Sequence, residues 1–432
     1  MKLNDIAYFV EDKISSENIK LDQYVTTDSL LQNKKGRTFA QNLPPQKCSL
    51  VHFKKGDVLL GNIRPYLKKI WYANIEGGCS QDVLVLRAKN NLESKFLYAL
   101  LMQDSFFDYE MKATKGSKMP RGDKSHIINF PCLDLNNKTE IGKLLSSLDD
   151  KIALNNRINA KLEQMAKRLY DYWFVQFDFP VSCHSELVSE SHSDEMLNQV
   201  QHDECAKPYK STGGKMVWNE ELKREIPEGW EVKKLGELFT TNRGVSYSTK
   251  TITGDIGIPM INLASFSPDG SYKIDGIKIY TGEYTEEKVL KPFDLVMCNT
   301  QQTAIDFSKD IIGKVLLVPD IFEGDITSSH HVNTLKVHNE KLKFYLYRLF
   351  NTDYFHAYIS HFASGTNIMG LDFAGVENYT AVIPGDEILS KFADFTLNIE
   401  KKKSEIVREN KKLISLRDRL LPLLMNGQVE VN

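Results

Sequence analysis

The sequence predicts an α+β fold built as a pseudo-twofold internal repeat: two mixed α/β modules separated by two long antiparallel coiled-coil helices. The first observation is that short motifs return in the same order. Lys2-Leu3-Asn4-Asp5-Ile6 returns as Lys234-Leu235-Gly236-Glu237-Leu238, Phe53-Lys54-Lys55-Gly56-Asp57 as Leu290-Lys291-Pro292-Phe293-Asp294, and Leu97-Tyr98-Ala99-Leu100-Leu101 as Leu346-Tyr347-Arg348-Leu349-Phe350. The second is a seven-residue apolar period that closes each half. The third is length: 432 residues exceed what one ordinary core organises.

Residues 1–136 read as the first module. Val58-Leu59-Leu60 and Val83-Leu84-Val85-Leu86 have the apolar runs of buried strands, and 93–111 reads as one helix. Gly56, Gly61, Pro65 and Gly77-Gly78 punctuate turns.

Residues 137–180 form a helical spacer. Ile141, Leu148, Asn155, Leu162 and Leu169 fall every seven residues, with Leu144/Leu145, Ile152, Ile158, Met165 and Tyr172/Trp173 at intermediate positions. Asn155 has two readings: a buried amide that fixes register, or a residue that a rotated seam turns to water.

Residues 181–216 read as an acidic polar linker. The stretch 181–206 has six acidic residues and no Lys or Arg, and it resembles translated palindromic DNA repeats of bacterial genomes. A zinc site from Cys183, His184, His202 and Cys205 is disfavoured, because adjacent Cys-His side chains do not readily ligate one ion.

Residues 217–385 form the second module, opened by Pro227-Glu228-Gly229-Trp230. Its strand candidates are 258–262, 295–298 and 315–318, and 343–362 is the helical counterpart of 93–111. Residues 386–432 repeat the spacer. Phe392, Ile399, Ile406, Leu413 and Leu420 match the first heptads at a constant offset of 251, and Pro422 and Gly427 are expected to stop the helix. Two heptad helices of equal length bury their stripes by packing together, and antiparallel packing leaves one module at each end. About 33 residues make a rod of roughly 50 Å, comparable to ~15 base pairs of DNA.

Composition bounds the function. At 41% hydrophobic and 26% charged, with six scattered cysteines, the chain reads as a soluble cytoplasmic protein with no membrane partner. The net charge of −2 conceals a first module at +5, so basic surface is available locally. Phosphate-loop, methyltransferase, nuclease and zinc-peptidase motifs are missing, which favours a non-catalytic protein. His330-His331 beside Ser328-Ser329 reads as a loop or strand end, since neighbouring strand residues point to opposite faces.

The chain resembles the specificity (S) subunits of type I restriction–modification enzymes. The resemblance is carried by Gly56-Asp57-Val58-Leu59-Leu60-Gly61-Asn62-Ile63-Arg64-Pro65-Tyr66-Leu67-Lys68-Lys69, Cys79-Ser80-Gln81-Asp82-Val83, Leu145-Ser146-Ser147-Leu148-Asp149-Asp150-Lys151-Ile152 through Tyr172-Trp173-Phe174, Pro227-Glu228-Gly229-Trp230, and Leu420-Leu421-Pro422-Leu423-Leu424-Met425-Asn426-Gly427. It implies two target-recognition domains reading an asymmetric bipartite site in double-stranded DNA. It also implies two methyltransferase (M) subunits bound to the helices, with restriction/translocase (R) subunits joining them. No cofactor is expected on this chain; the partners are expected to use S-adenosylmethionine, ATP and magnesium. The alternatives are a single-chain DNA methyltransferase or nuclease with unrecognised motifs, and a coiled-coil protein adaptor.

With that resemblance, loops with basic or amide side chains become candidate DNA contacts. In the first module these are Lys34, Lys35, Arg37, Arg64, Lys68, Lys69, Lys115, Ser117, Lys118 and Arg121. Arg64-Pro65-Tyr66 has a structural alternative, with Tyr66 in the core. In the second module they are Arg243, Ser246, Tyr247, Asn299, Gln301, Gln302, Ser364, Thr366 and Asn367.

Overall fold

The computed structural model describes residues 1–114, 116, 118–181, 207–252, 256–302 and 309–431. The Cys183, His184, His202 and Cys205 set, Lys115, Ser117 and the Gln302 side chain lie outside the described residues. The chain divides into two compact units, one of Met1–Asn156 with Glu409–Asn432 and one of Arg157–Arg408.

In the first unit, strands Ala7–Phe9, Val83–Ala88, Val58–Gly61 and Ile70–Tyr72 pair in that order, all antiparallel. The apolar runs are buried on both faces because alternate residues serve different cores. Val58, Leu60, Leu84 and Leu86 pack with Phe96 and Leu100, whereas Leu59, Val83 and Val85 pack with Val25, Phe53 and Cys79 of a second sheet.

The second unit repeats this order with Phe239–Arg243, Val332–Val337, Leu295–Cys298 and Val315–Leu317. The alternation repeats too. Leu295, Met297 and Leu335 enter the core with Leu346 and Phe350, and Val296, Cys298 and Val332 enter the other. Asp57 and Asp294 hold the same turn, accepting from the backbone N–H of Lys54 at 2.7 Å and of Lys291 at 2.8 Å.

The expected single helix over 93–111 is two helices, Ser94–Leu101 and Asp104–Met111, separated by extended backbone at Gln103. Its counterpart breaks likewise into Leu342–Phe350 and Asp353–Ser360, where the Thr352 hydroxyl accepts from the Phe355 N–H at 3.3 Å. Neither break has a Gly or Pro; a polar N-cap residue marks the second.

The long helices are Lys138–Tyr170, continued by a wide turn at Asp171–Val175, and Asp386–Met425. They run antiparallel. In the first unit Arg417 meets Asp149 at 2.8 Å and Asn155 meets Asn410 at 2.8 Å; in the second Lys403 meets Glu163 at 2.6 Å. Ile141, Asn155, Phe392, Ile399 and Ile406 are buried, and Leu148, Leu162, Leu169, Leu413 and Leu420 are half-buried. Asn155 therefore faces its partner helix rather than water.

Ile158, Met165 and Tyr172 do not fill intermediate seam positions; they are exposed. The seam instead uses Asn159 and Ala166, one residue later, and of the expected pair Tyr172/Trp173 it is Trp173 that is buried. Size and apolarity favoured the wrong neighbours, because Asn159 and Ala166 are polar and small. Pro422 also fails to stop the second helix, which continues through it to Met425. A missing N–H costs one hydrogen bond near the end, and burial of Leu421, Leu424 and Met425 holds the last turn. Gly427, at φ +67°, follows the terminus. Among the described residues, no helix is long and apolar enough to cross a membrane.

Candidate nucleic-acid interface

In the first unit three candidate loops are joined by main-chain hydrogen bonds. Asn33 and Lys34 donate their N–H groups to the carbonyls of Leu67 and Lys68, and Arg64 donates to Pro120. Ile63 bridges Arg121. Lys34, Arg64 and Lys68 all adopt left-handed backbone conformations, with φ between 50° and 61°. The segments 33–37, 62–69 and 118–121 therefore form one surface patch.

The basic side chains in that patch differ in availability. Lys34 and Lys68 both bind Asp104, at 2.8 and 2.6 Å, and their hydrogen bonds hold its carboxyl below the usual range. Lys69 donates to the Thr27 carbonyl, and Arg37 stacks on Trp71 at 4.5 Å while donating to the Asp22 carbonyl. Arg64 is exposed with no ion pair among the described residues, and Lys35 and Lys118 are exposed. Arg121 reaches Asp82 at 3.2 Å in an exposed pair. Tyr66 is 50% exposed, so it is not a core residue; Pro65 is the buried member of that turn.

Beneath the patch lies a polar floor. Glu110 is fully buried, and neither of its carboxylate oxygens has a hydrogen-bond partner among the described residues. Burial pushes its pKa up to about 8. The Asn62 Oδ1 is also buried with no partner among the described residues. A Cβ placed on Gly122 would lie 2.6 Å from Glu110 Oε1 and 2.8 Å from Asn62 Oδ1, so these groups share one small space.

In the second unit, the strand Thr300–Gln302 pairs with Ile368–Leu371, which pairs with Ala363–Ser364. This brings Asn299, Gln301 and the exposed Ser364, Thr366 and Asn367 together. Gly365 turns that hairpin at φ +143°, where an added Cβ would meet the Ile368 carbonyl oxygen at 2.0 Å. Arg243 is exposed, its Nε donating to the His330 carbonyl at 2.8 Å. Ser246 is exposed, and the Tyr247 ring sits 5.4 Å from His330. Gln301 is buried, with its Oε1 accepting from Ile311 N–H at 2.8 Å.

A cleft of about 270 Å³ opens here, lined by Arg243, Asn299, Thr300, Asn333, Leu371 and Phe373 among others. Asn299 donates through Nδ2 to Asn333 Oδ1 at 2.6 Å and to the His330 carbonyl at 3.3 Å. A carbonyl only accepts, so it fixes the amide orientation and leaves Asn299 Oδ1 buried with no partner among the described residues. His331 Nδ1 lies 2.7 Å from Thr300 Oγ1. Burial, then His330 and Arg243, lower the His331 pKa and keep the ring neutral. Sequence reasoning set His331 aside and missed Asn333, Phe373 and Asn62. The offset of 237 linking Asp57 to Asp294 also links Asn62 to Asn299, a signal present in the sequence.

The comparison with known families bears directly on this duplicated arrangement. A model of the type I restriction modification DNA specificity domain matches residues 1–164 and again residues 227–412. The chain belongs to that family. It is 25% identical over 399 residues to the type I restriction enzyme MjaIX specificity subunit of Methanocaldococcus jannaschii, covering 89% of this chain and 80% of that protein. It is 26% identical over 454 residues to the HindI specificity subunit of Haemophilus influenzae, covering 94% of each. The crystal structure of a type I restriction–modification system S subunit from M. genitalium matches with a TM-score of 0.53 at 13% identity, over 100% of this chain and 96% of that one. That likeness establishes the fold. Both copies of the specificity domain in this chain thus carry the same sheet order and an asparagine at the end of the same strand.

Proposed function

We propose that this chain is the specificity subunit of a type I restriction–modification complex. It reads an asymmetric bipartite site in double-stranded DNA, one half-site per specificity domain, and performs no chemistry itself. Methylation and cleavage belong to methyltransferase and restriction/translocase subunits, which use S-adenosylmethionine, ATP and magnesium in the cytoplasm. The observation that carries the reading is one module present twice with unlike loops. The first has Arg64, Lys118 and Arg121 in its patch, and the second has Arg243, Asn299 and Asn333 lining its cleft. Equal scaffolds with unequal readers suit two different half-sites, unlike the palindrome read by a homodimer.

Arg64 and Lys118 are assigned to phosphate or base contact because they project from the surface. Lys34, Lys68, Lys69 and Arg37 are assigned to shaping the loops, since their charged or donor groups are already engaged. The exposed Ile158 and Met165 on the first long helix and Tyr172 in the wide turn that continues it, seven residues apart, are assigned to methyltransferase docking.

The test is binding by the chain assembled with its methyltransferase subunit. Salt-sensitive binding to a split site, in preference to scrambled DNA, is expected. Sequence-independent binding alone would falsify the reading. Met165→Lys with Tyr172→Lys should abolish co-purification with the methyltransferase while leaving the melting temperature of the chain unchanged. Removal of one heptad from each long helix should shorten the preferred gap between half-sites.

A further inference from the structure

Asn62 and Asn299 occupy equivalent positions in the two specificity domains, each just beyond the strand whose fold-mate it repeats. Their main chains are engaged identically. The N–H groups donate to the carbonyls of Asp82 at 2.9 Å and His331 at 3.0 Å. Their carbonyls accept from Gly122 at 3.1 Å and Leu371 at 2.8 Å. Both side chains leave a buried amide oxygen with no partner among the described residues. A buried acceptor left unmade is destabilising, yet the feature appears in both copies while the surrounding loops differ.

The neighbourhood of Asn299 narrows the ligand. Asn299 is 8% exposed and lines the cleft of about 270 Å³. The cleft has an apolar wall of Leu371 and Phe373, an exposed Arg243 anchored through Nε, and Asn333 held through its oxygen by Asn299. A phosphate offers acceptors only and would leave the Asn299 oxygen unsatisfied. A base edge in the major groove offers both acceptors and an amino donor.

Building on the DNA-reading function above, we propose that Asn62 and Asn299 are equivalent base-reading residues. Each amide oxygen accepts a hydrogen bond from an exocyclic amino group, adenine N6 or cytosine N4. The two unlike half-sites therefore share an amino-bearing base at the corresponding position. In the second domain Arg243, whose guanidinium fork stands at the cleft, reads a guanine beside it.

The experiment uses the full chain in complex with its methyltransferase subunits, selecting from duplex DNA randomised across both half-sites. Asn299→Ala should lower discrimination at one position of one half-site by about five- to a hundredfold and leave the other half-site unchanged. Asn62→Ala should do the same at the corresponding position of the other half-site. Melting curves establish that each variant is folded. Should Asn299→Ala fail to fold, the exposed Arg243→Ala carries the test, with loss of a guanine preference next to the amino-bearing base. Unchanged selection by folded variants, or affinity lost equally for every sequence, overturns the proposal. A wild-type complex that selects no sequence at all overturns the specificity reading itself, a distinct result.

Discussion

Glu163 on the first long helix accepts from Arg348 on the helix Leu342–Phe350, and Arg348 also reaches Glu400 on the second long helix at 3.2 Å. Lys403 completes the cluster at 2.6 Å from Glu163 and 2.9 Å from Glu400. All four belong to the second unit, and Arg348 and Glu400 are buried. Removing Arg348 leaves two largely buried carboxylates sharing the single cation Lys403. Arg348→Ala should destabilise the second unit by about 3–5 kcal/mol, read from chemical denaturation. Burial opposes ionisation of Glu163, but Arg348 and Lys403 outweigh it and hold its pKa down to about 2. A depressed carboxylate contributes stability above its unfolded pKa. That contribution should fade as pH falls from about 4.5 toward 2, and Glu163→Gln should flatten this limb of the stability profile.

The polar layer at Asn155 should behave as a coupled pair. Asn155 Nδ2 donates to Asn410 Oδ1 and Glu409 Oε2, and Asn410 Nδ2 donates to Asn156 Oδ1 at 2.9 Å. Asn155→Leu alone leaves Asn410 with a buried unsatisfied oxygen, at a cost of about 1–3 kcal/mol. Leucine at both 155 and 410 should recover that loss, and a double-mutant cycle measures the coupling. Equal, additive losses would show that the two amides act separately.

Glu110 should make the first unit alkali-sensitive. Its folded pKa of about 8 lies above its ordinary 4.5, so the folded state binds the extra proton. Its stability contribution is complete below about 4.5 and is lost as pH rises through about 8. Glu110→Gln should remove this slope and raise the melting temperature at pH 9 relative to wild type. Parallel melting profiles for the two proteins from pH 5 to 9 would count against it.

Gly142 should resist a substitution that helix propensity favours. Alanine in a helix interior gains about 1 kcal/mol over glycine. A Cβ at Gly142, however, would stand 2.5 Å from the Phe96 nitrogen, where the long helix crosses the module. Backbone cannot move aside as a side-chain tip can, so Gly142→Ala should cost a net ~1–3 kcal/mol in denaturation of the first unit.

The scaffold was legible because its signals are periodic. The unbroken apolar run Val58-Leu59-Leu60 and the candidate at 295–298 marked strands that prove to be buried on both faces, and the heptads from Ile141 and Phe392 located the paired helices. Periodicity became misleading where a small or polar residue held a seam position, as at Asn159 and Ala166. The interface was less legible because availability depends on distant partners. Nothing near Lys34 or Lys68 in sequence shows that both will meet Asp104. His330-His331 stands in the turn before a strand, as the sequence indicated, but nothing in the sequence shows that His331 will lie 2.7 Å from Thr300. Asn62 was hidden for a different reason: its meaning lies in the matching burial of Asn299, which a repeat aligns but cannot reveal.

The division of the chain also orders its assembly in time. Leu421, Leu424 and Met425 sit in the core that Leu3, Phe96 and Ile141 begin. A ribosome must therefore synthesise residues 157–408 before the first unit receives its closing helix. The part made first is the part finished last, and until then its apolar floor is a surface for chaperones or for another chain's second helix.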